Sequence, residues 1–151
     1  MGNGPVRETR SGAPSGTLGR GRDLEVKQFV EALARSVTMG DGRAAVRFWE
    51  IPALVVAAAS VRLVTTNEEV EEHFSTAKHR YYARGIVDTQ PEVLSLEWIT
   101  DRIAMVRVRW PYLDANGDER GEETMTYTLR RDDTGNLRLR VAIVHGEAST
   151  P

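Results

Sequence analysis

The sequence predicts an α+β fold: a cone-shaped, curved, mixed or antiparallel sheet with three helices packed on its concave face. Three observations carry this expectation. Residues 23–85 read as helix, helix, two short apolar strands and helix, by spacing and by punctuation. Everything after Thr89 alternates with period two, as half-buried strands do. Between the alternating runs lie stretches that accept turn geometry, Asp114-Ala115-Asn116-Gly117 and Asp132-Asp133-Thr134-Gly135-Asn136.

The first helix is expected from Asp23, a capping residue. Val26, Phe29, Val30, Leu33 and Val37 follow it at three- and four-residue spacing, and Gly40-Asp41-Gly42 closes it. Asp41 then caps a short second helix with Ala44, Ala45, Phe48 and Trp49 toward the core. Pro52 stops it at Glu50 or Ile51, because the ring disfavours helical geometry in the residue before it. Ala53-Leu54-Val55-Val56 is uncharged and branched, a buried strand, and Ser60–Val64 reads as its hairpin partner. Thr66 followed three residues later by Glu69 is a capping-box signature for the third helix. That helix lines one face with Val70, Phe74, Ala77 and Tyr81 and ends at Gly85; Glu68, Glu69, Glu71 and Glu72 suit its positive N-terminal end without needing a function. The last four strands carry Leu94, Leu96 and Trp98; Ala104, Val106, Val108, Trp110 and Tyr112; Met125, Tyr127 and Leu129; and Leu137, Leu139, Val141, Ile143 and His145 on their inner rows.

At 151 residues the chain suits one domain. Residues 1–22 hold six Gly and two Pro with few large apolar side chains, so they are expected to form a disordered basic leader, with a domain over 23–147 and a tail over 148–151. A net charge of −2 offers no basic field for nucleic acid. The absence of cysteine excludes disulfides and thiolate chemistry. No apolar run approaches the roughly 18 residues of a membrane helix. The N-terminus lacks the apolar core of a secretory signal, so a cytoplasmic protein is expected.

The order of elements, with the Gly-Asp break, Phe48-Trp49 entering a strand, the Thr66–Glu69 start and the final strand pair around Tyr127 and Leu139, resembles the nuclear transport factor 2-like superfamily over residues 23–147. That superfamily includes the SnoaL-like polyketide cyclases, ketosteroid isomerase and scytalone dehydratase, and the Trp49-x-x-Pro52-Ala-Leu-Val-Val corner looks like a bacterial branch of it. The resemblance implies a pocket between the concave sheet face and the helices, and a homodimer through the outer sheet face. It also sets three positions for isomerase chemistry. Here these fall near Leu33, near Ala57 and near Met125 to Tyr127, none of which is acidic or a tyrosine in the required place. The isomerase catalytic set is therefore expected to be missing.

The remaining candidates come from the residues themselves. Trp49, Trp98, Trp110 and Tyr127 fall on or near inward positions, and each pairs a broad apolar body with a polar handle, which suits a ligand wall as well as a core. His145 ends an apolar row and is the best candidate for a catalytic base or a polar ligand contact. His73 flanks the apolar face of the third helix, His79 lies opposite, and Glu50 is the acid beside Trp49. Three scattered histidines without ligand spacing make no metal site, and no cofactor motif is found. The expectation is a pocket protein for a small apolar or aromatic molecule. The alternatives are an isomerase, cyclase or hydrolase using His145, and a homodimeric interaction module.

Overall fold

The computed structural model describes residues 16–39 and 42–148. The elements are α1 (Gly16–Met39), α2 (Gly42–Val46), β1 (Trp49–Ala57), β2 (Ser60–Val64), α3 (Asn67–Ala83), β3 (Glu92–Thr100), β4 (Ile103–Leu113), β5 (Glu119–Arg131) and β6 (Leu137–Ala148). The strands form one curved, unclosed sheet in the order β2-β1-β6-β5-β4-β3. Every neighbouring pair is antiparallel except β1 and β6, which run parallel and bring the two halves of the chain together. The α+β class and the curved mixed sheet expected from the periodicities are what the fold shows.

One core joins the helices to the inner sheet face. Val26, Val30 and Leu33 of α1, Val70 of α3, Val106 and Val108 of β4, Leu129 of β5 and Leu139 of β6 are all buried in it. Phe29 meets Phe48 edge-on, with ring centroids 5.4 Å apart. The apolar spacing of α1 therefore does what its period requires.

The start of α1 differs from the expectation. The helix begins at Gly16, seven residues before Asp23, so the last part of the supposed leader is helical. Tertiary contact overrides composition here. The Arg22 guanidinium stacks 4.7 Å from the Trp98 ring and pairs with Asp101 at 3.8 Å. Asp23 is no cap; its Oδ1 accepts a 3.3 Å hydrogen bond from the Trp98 indole. Residues 1–15, Gly40 and Asp41 lie outside the described residues, and with them the rest of the leader and the proposed Asp41 cap.

The Trp-Glu-Ile-Pro corner also resolves differently. Helix α2 ends at Val46, and Trp49, Glu50, Ile51 and Pro52 already belong to β1. The reason is a partner at the far end of the sequence: the Leu139 amide donates to the Phe48 carbonyl at 2.6 Å, and Trp49 pairs with Leu139. The ladder with β6 then skips to Leu54. Pro52, preceded by a cis peptide bond, occupies the gap, where its missing N–H costs no ladder bond. Helix α3 begins as predicted: Thr66 accepts from the Glu69 amide at 3.2 Å while the Glu69 carboxylate accepts from the Thr66 amide at 3.0 Å.

Strand β6 departs most from simple alternation. Leu139 stands opposite Leu129, but the next pair is Val141 with Thr128, so Arg140 is an extra residue. A single extra residue moves every following side chain to the other face. Beyond it Ala142 and Val144 point inward, while Val141 and Ile143 point outward beside Thr128 and Thr126. A second extra residue, His145, falls between the Met125–Val144 and Thr124–Gly146 pairs. A similar slip between Val93 and Ser95 makes Leu94 exposed and puts Val93, rather than Leu94, on the inner row with Leu96 and Trp98.

Candidate functional site

The concave face and the helices enclose a cavity of about 230 Å³. Its floor is built by inward residues of four strands: Trp49 and Val55 of β1, Trp110 and Tyr112 of β4, Glu123, Met125 and Tyr127 of β5, and Leu139, Ala142 and Val144 of β6. Leu33 and Val37 of α1 and Phe74, Ala77 and Tyr81 of α3 form the roof, and Tyr82, Val87 and Asp88 stand toward the mouth. The same helical spacing that predicted an apolar face on α3 thus supplies part of the wall. Trp49 meets Phe74 edge-on at 6.1 Å, and Trp110 meets Tyr127 edge-on at 6.4 Å.

One cluster of polar groups surrounds Glu123. The hydroxyls of Tyr81 and Tyr112 both donate to Glu123 Oε1, each at 3.3 Å. Strand register makes this possible: Trp110 pairs with Glu123, so Glu123 shares the inner row of Met125 and Tyr127, and Tyr112 lies two residues along from Trp110. The two tyrosine rings lie 5.2 Å apart. Arg80 stacks over Tyr81 at 5.5 Å and Arg84 over Tyr112 at 5.4 Å, so cations back both rings.

The electrostatics follow from burial. Tyr127 is held far above the ordinary phenol value of 10, first by burial and then by the Glu123 charge. The Trp110 indole works weakly the other way, although its Nε1 makes no hydrogen bond that meets ordinary geometry. Tyr81 is raised for the same first two reasons. His73, at the cavity wall, is lowered from 6.5 by partial burial and then by Arg62 and Arg80. Its outer edge still meets solvent, while the ring packs edge-on to Phe74 at 5.2 Å. The wall also contains three buried polar atoms with no hydrogen-bond partner: Nε1 of Trp49, Nε1 of Trp110 and Oγ1 of Thr89.

The predicted site residues divide. Trp49, Trp110 and Tyr127 are brought together around the cavity. Trp98 is not among its lining residues; it anchors α1 through Asp23 and is stacked by Arg22 and Arg131. His145 is on the outer face, exposed, with its Nε2 2.6 Å from the Thr126 hydroxyl. The extra residue at Arg140 put it there, since uninterrupted alternation would have carried it inward. Glu50 is also outside, bonded to Arg130 at 2.8 Å and Arg140 at 3.0 Å. Burial would raise its pKa, but the two arginines outweigh that and hold it below 4.5.

Sequence reasoning passed over Glu123. It stands in the polar run Glu119–Thr124, which reads as a solvated strand start. The available signal was period two: stepping back from Tyr127 through Met125 reaches Glu123. So the inner row near the third isomerase position is not without an acid, although that acid lies two residues earlier than expected.

Among the described residues, no cluster of three or more His, Asp or Glu side chains could hold a metal ion, and no helix is long and apolar enough to cross a membrane.

Residues 25–147 match the family model described as NTF2-like protein (DUF6841). Among solved structures the chain is similar to Aln2 from a Streptomyces species, with 20% identity over 88% of this chain and 93% of that one and a TM-score of 0.66. It is similar to an NTF-2-like protein from Shewanella oneidensis, with 13% identity over 82% and 98% of the two chains and a TM-score of 0.63. A ketosteroid isomerase-like protein from Erwinia carotovora atroseptica shares 12% identity over 80% and 92%, with a TM-score of 0.60. At these identities the likeness speaks for the fold alone. A comparison with curated proteins finds no match. The family model covers the chain from early α1 to the end of β6, and this protein belongs to the NTF2-like family DUF6841.

Proposed function

We propose that this protein binds a small, largely apolar molecule in the cavity between α1, α3 and the inner sheet face. The observation that carries the reading is the cavity itself: about 230 Å³, walled by Trp49, Val55, Phe74, Met125, Leu139 and Val144, with a cluster of polar groups around Glu123. At about 30 Å³ per liquid water this is room for roughly eight waters, hence for a compact molecule of about ten non-hydrogen atoms. An apolar wall of this kind favours an organic occupant over water. Native mass spectrometry of untreated protein tests it. A mass excess that disappears on denaturation, and is missing from an Ala77→Phe variant that fills the cavity, is the expected result. A protein without any adduct, and without a melting shift across a panel of small apolar molecules, would remove the reading.

Glu123 favours a second reading, an enzyme acting on the bound molecule. A carboxylate held by two tyrosine hydroxyls inside an apolar cavity is placed to accept a proton from a ligand, a role that His145 on the outer face does not have the position to fill. Turnover lost in Glu123→Gln and kept in His145→Ala is the outcome that separates the two.

We also propose that the outer sheet face pairs with a second copy. Leu63 and Val61 on β2 are 57% and 69% exposed, and they adjoin Leu54, Val56, Val141 and Ile143 on the same face. The face is charged oppositely at its two ends. Glu50 lies among Arg130 and Arg140, whereas Arg109 lies among Glu92, Glu119 and Glu122. A two-fold axis that set the two faces antiparallel would bring unlike ends together. Sedimentation velocity is expected to show a dimer that Ile143→Glu converts to monomer; a monomeric wild-type chain at tens of micromolar would dismiss the pairing.

A further inference from the structure

We infer that the molecule held in the cavity carries a hydroxyl group, bound at the Glu123 end, on an otherwise apolar frame. This rests on the cavity being a binding site and names the chemistry that fits it.

Glu123 is the acceptor at this end of the cavity. Its Oε1 accepts from Tyr81 and Tyr112 at 3.3 Å each, distances long enough for a third donor to compete well. A ligand hydroxyl reaching this carboxylate makes a hydrogen bond to a charged acceptor, one of the stronger kinds. A frame with an acceptor alone, such as a ketone, would present oxygen lone pairs to the carboxylate and lose that bond. A hydroxyl also accepts. Two of the unpartnered polar atoms in the wall, Nε1 of Trp110 and Oγ1 of Thr89, belong to residues that line the cavity, and Trp110 is the direct strand partner of Glu123.

Charge disfavours an ammonium head group. An ammonium would meet one carboxylate flanked by the guanidinium groups of Arg80 and Arg84, stacked on the two tyrosines that hold it. The rest of the wall, from Trp49 through Phe74 and Leu139, is mostly apolar and suits the frame of such a molecule.

Four molecules on one frame test this: menthol, menthone, p-menthane and menthylammonium, titrated into wild-type protein and followed by tryptophan fluorescence. Trp49 and Trp110 line the cavity and report on occupancy. Menthol is expected to bind about tenfold or more tighter than each of the other three. In Glu123→Leu its affinity is expected to fall to that of p-menthane, which itself binds no worse than before. Menthol, menthone and p-menthane binding within about twofold of one another, or menthylammonium binding tightest, overturns the inference and leaves the cavity reading in place. If none of the four binds, the inference falls, while the cavity reading stands or falls on the native mass spectrum. The wild-type series decides the matter even should Glu123→Leu fail to fold.

Discussion

Leu139 and Val141 are two residues apart in one strand and face opposite sides of the sheet. Leu139 opposes buried Leu129, Val141 opposes Thr128, and Arg140 between them has no residue opposite it on β5. The chemistry of β6 depends on this. Val144 reaches the cavity and His145 the outer surface, the reverse of what unbroken alternation from Leu137 would give.

Binding should separate these two neighbours. His145→Ala is expected to change menthol affinity by less than about twofold, whereas Val144→Glu, which buries a carboxylate in the apolar wall, weakens it by about tenfold or more. The titrations described above measure both. A large loss in His145→Ala together with unchanged binding in Val144→Glu would show that the register of β6 is wrong.

The Glu50 cluster gives a stability prediction with a definite pH dependence. The folded pKa of Glu50 lies below its ordinary 4.5. Its contribution is therefore complete above that value and is lost as pH falls through the depressed folded pKa. Glu50→Gln is expected to cost about 1 kcal/mol at pH 7, a figure kept small because the site is partly solvated. The difference between wild type and variant in urea unfolding should shrink as pH falls below 4.5. A difference that stays constant from pH 7 to pH 3 would count against the ion pairs.

His73 also makes the fold weaker in acid, because its charged form is disfavoured in the folded state rather than paired there. With its folded pKa below 6.5, the unfolded chain binds the proton more readily, so acidification from about pH 6.5 downward weakens the fold. His73→Gln is expected to match wild type at pH 8 and to gain stability relative to it at pH 5. Proton NMR should give His73 a titration midpoint under 6.5; a midpoint at or above that value defeats the argument.

Gly42 is required where α2 crosses α3. A Cβ there would come 2.8 Å from the Glu71 carbonyl carbon and 2.5 Å from Ser75 Oγ, and backbone cannot swing aside as a side-chain tip can. Gly42→Ala is expected to destabilise by about 2 kcal/mol or more in thermal unfolding, while Gly21→Ala, with open space around it, leaves stability unchanged or slightly raised. Equal melting temperatures would show that α2 yields more easily than its packing implies.

Local chemistry was legible in the residue order. The Thr66–Glu69 capping box, the apolar stripe of α1, the two Gly-containing turns and the alternating rows of β4 and β5 each depend on neighbours within a few positions, and periodicity reports such neighbours directly. Trp49, Trp110 and Tyr127 could be placed at the cavity for the same reason. What escaped was set by contacts between distant parts of the chain. Arg22 on Trp98 extends α1, the Leu139 amide on Phe48 turns a predicted helix end into a strand, and pairing with β5 leaves Arg140 as an extra residue. Glu123 stands on the inner row of β5, and its place in a polar cluster comes from Tyr81, 42 positions earlier, which folds down onto it. The sequence by itself determined the class of fold and most of the wall. Only the tertiary structure decided which polar group faces the cavity, because a one-residue slip in a strand costs a local ladder bond yet exchanges the two faces of everything beyond it.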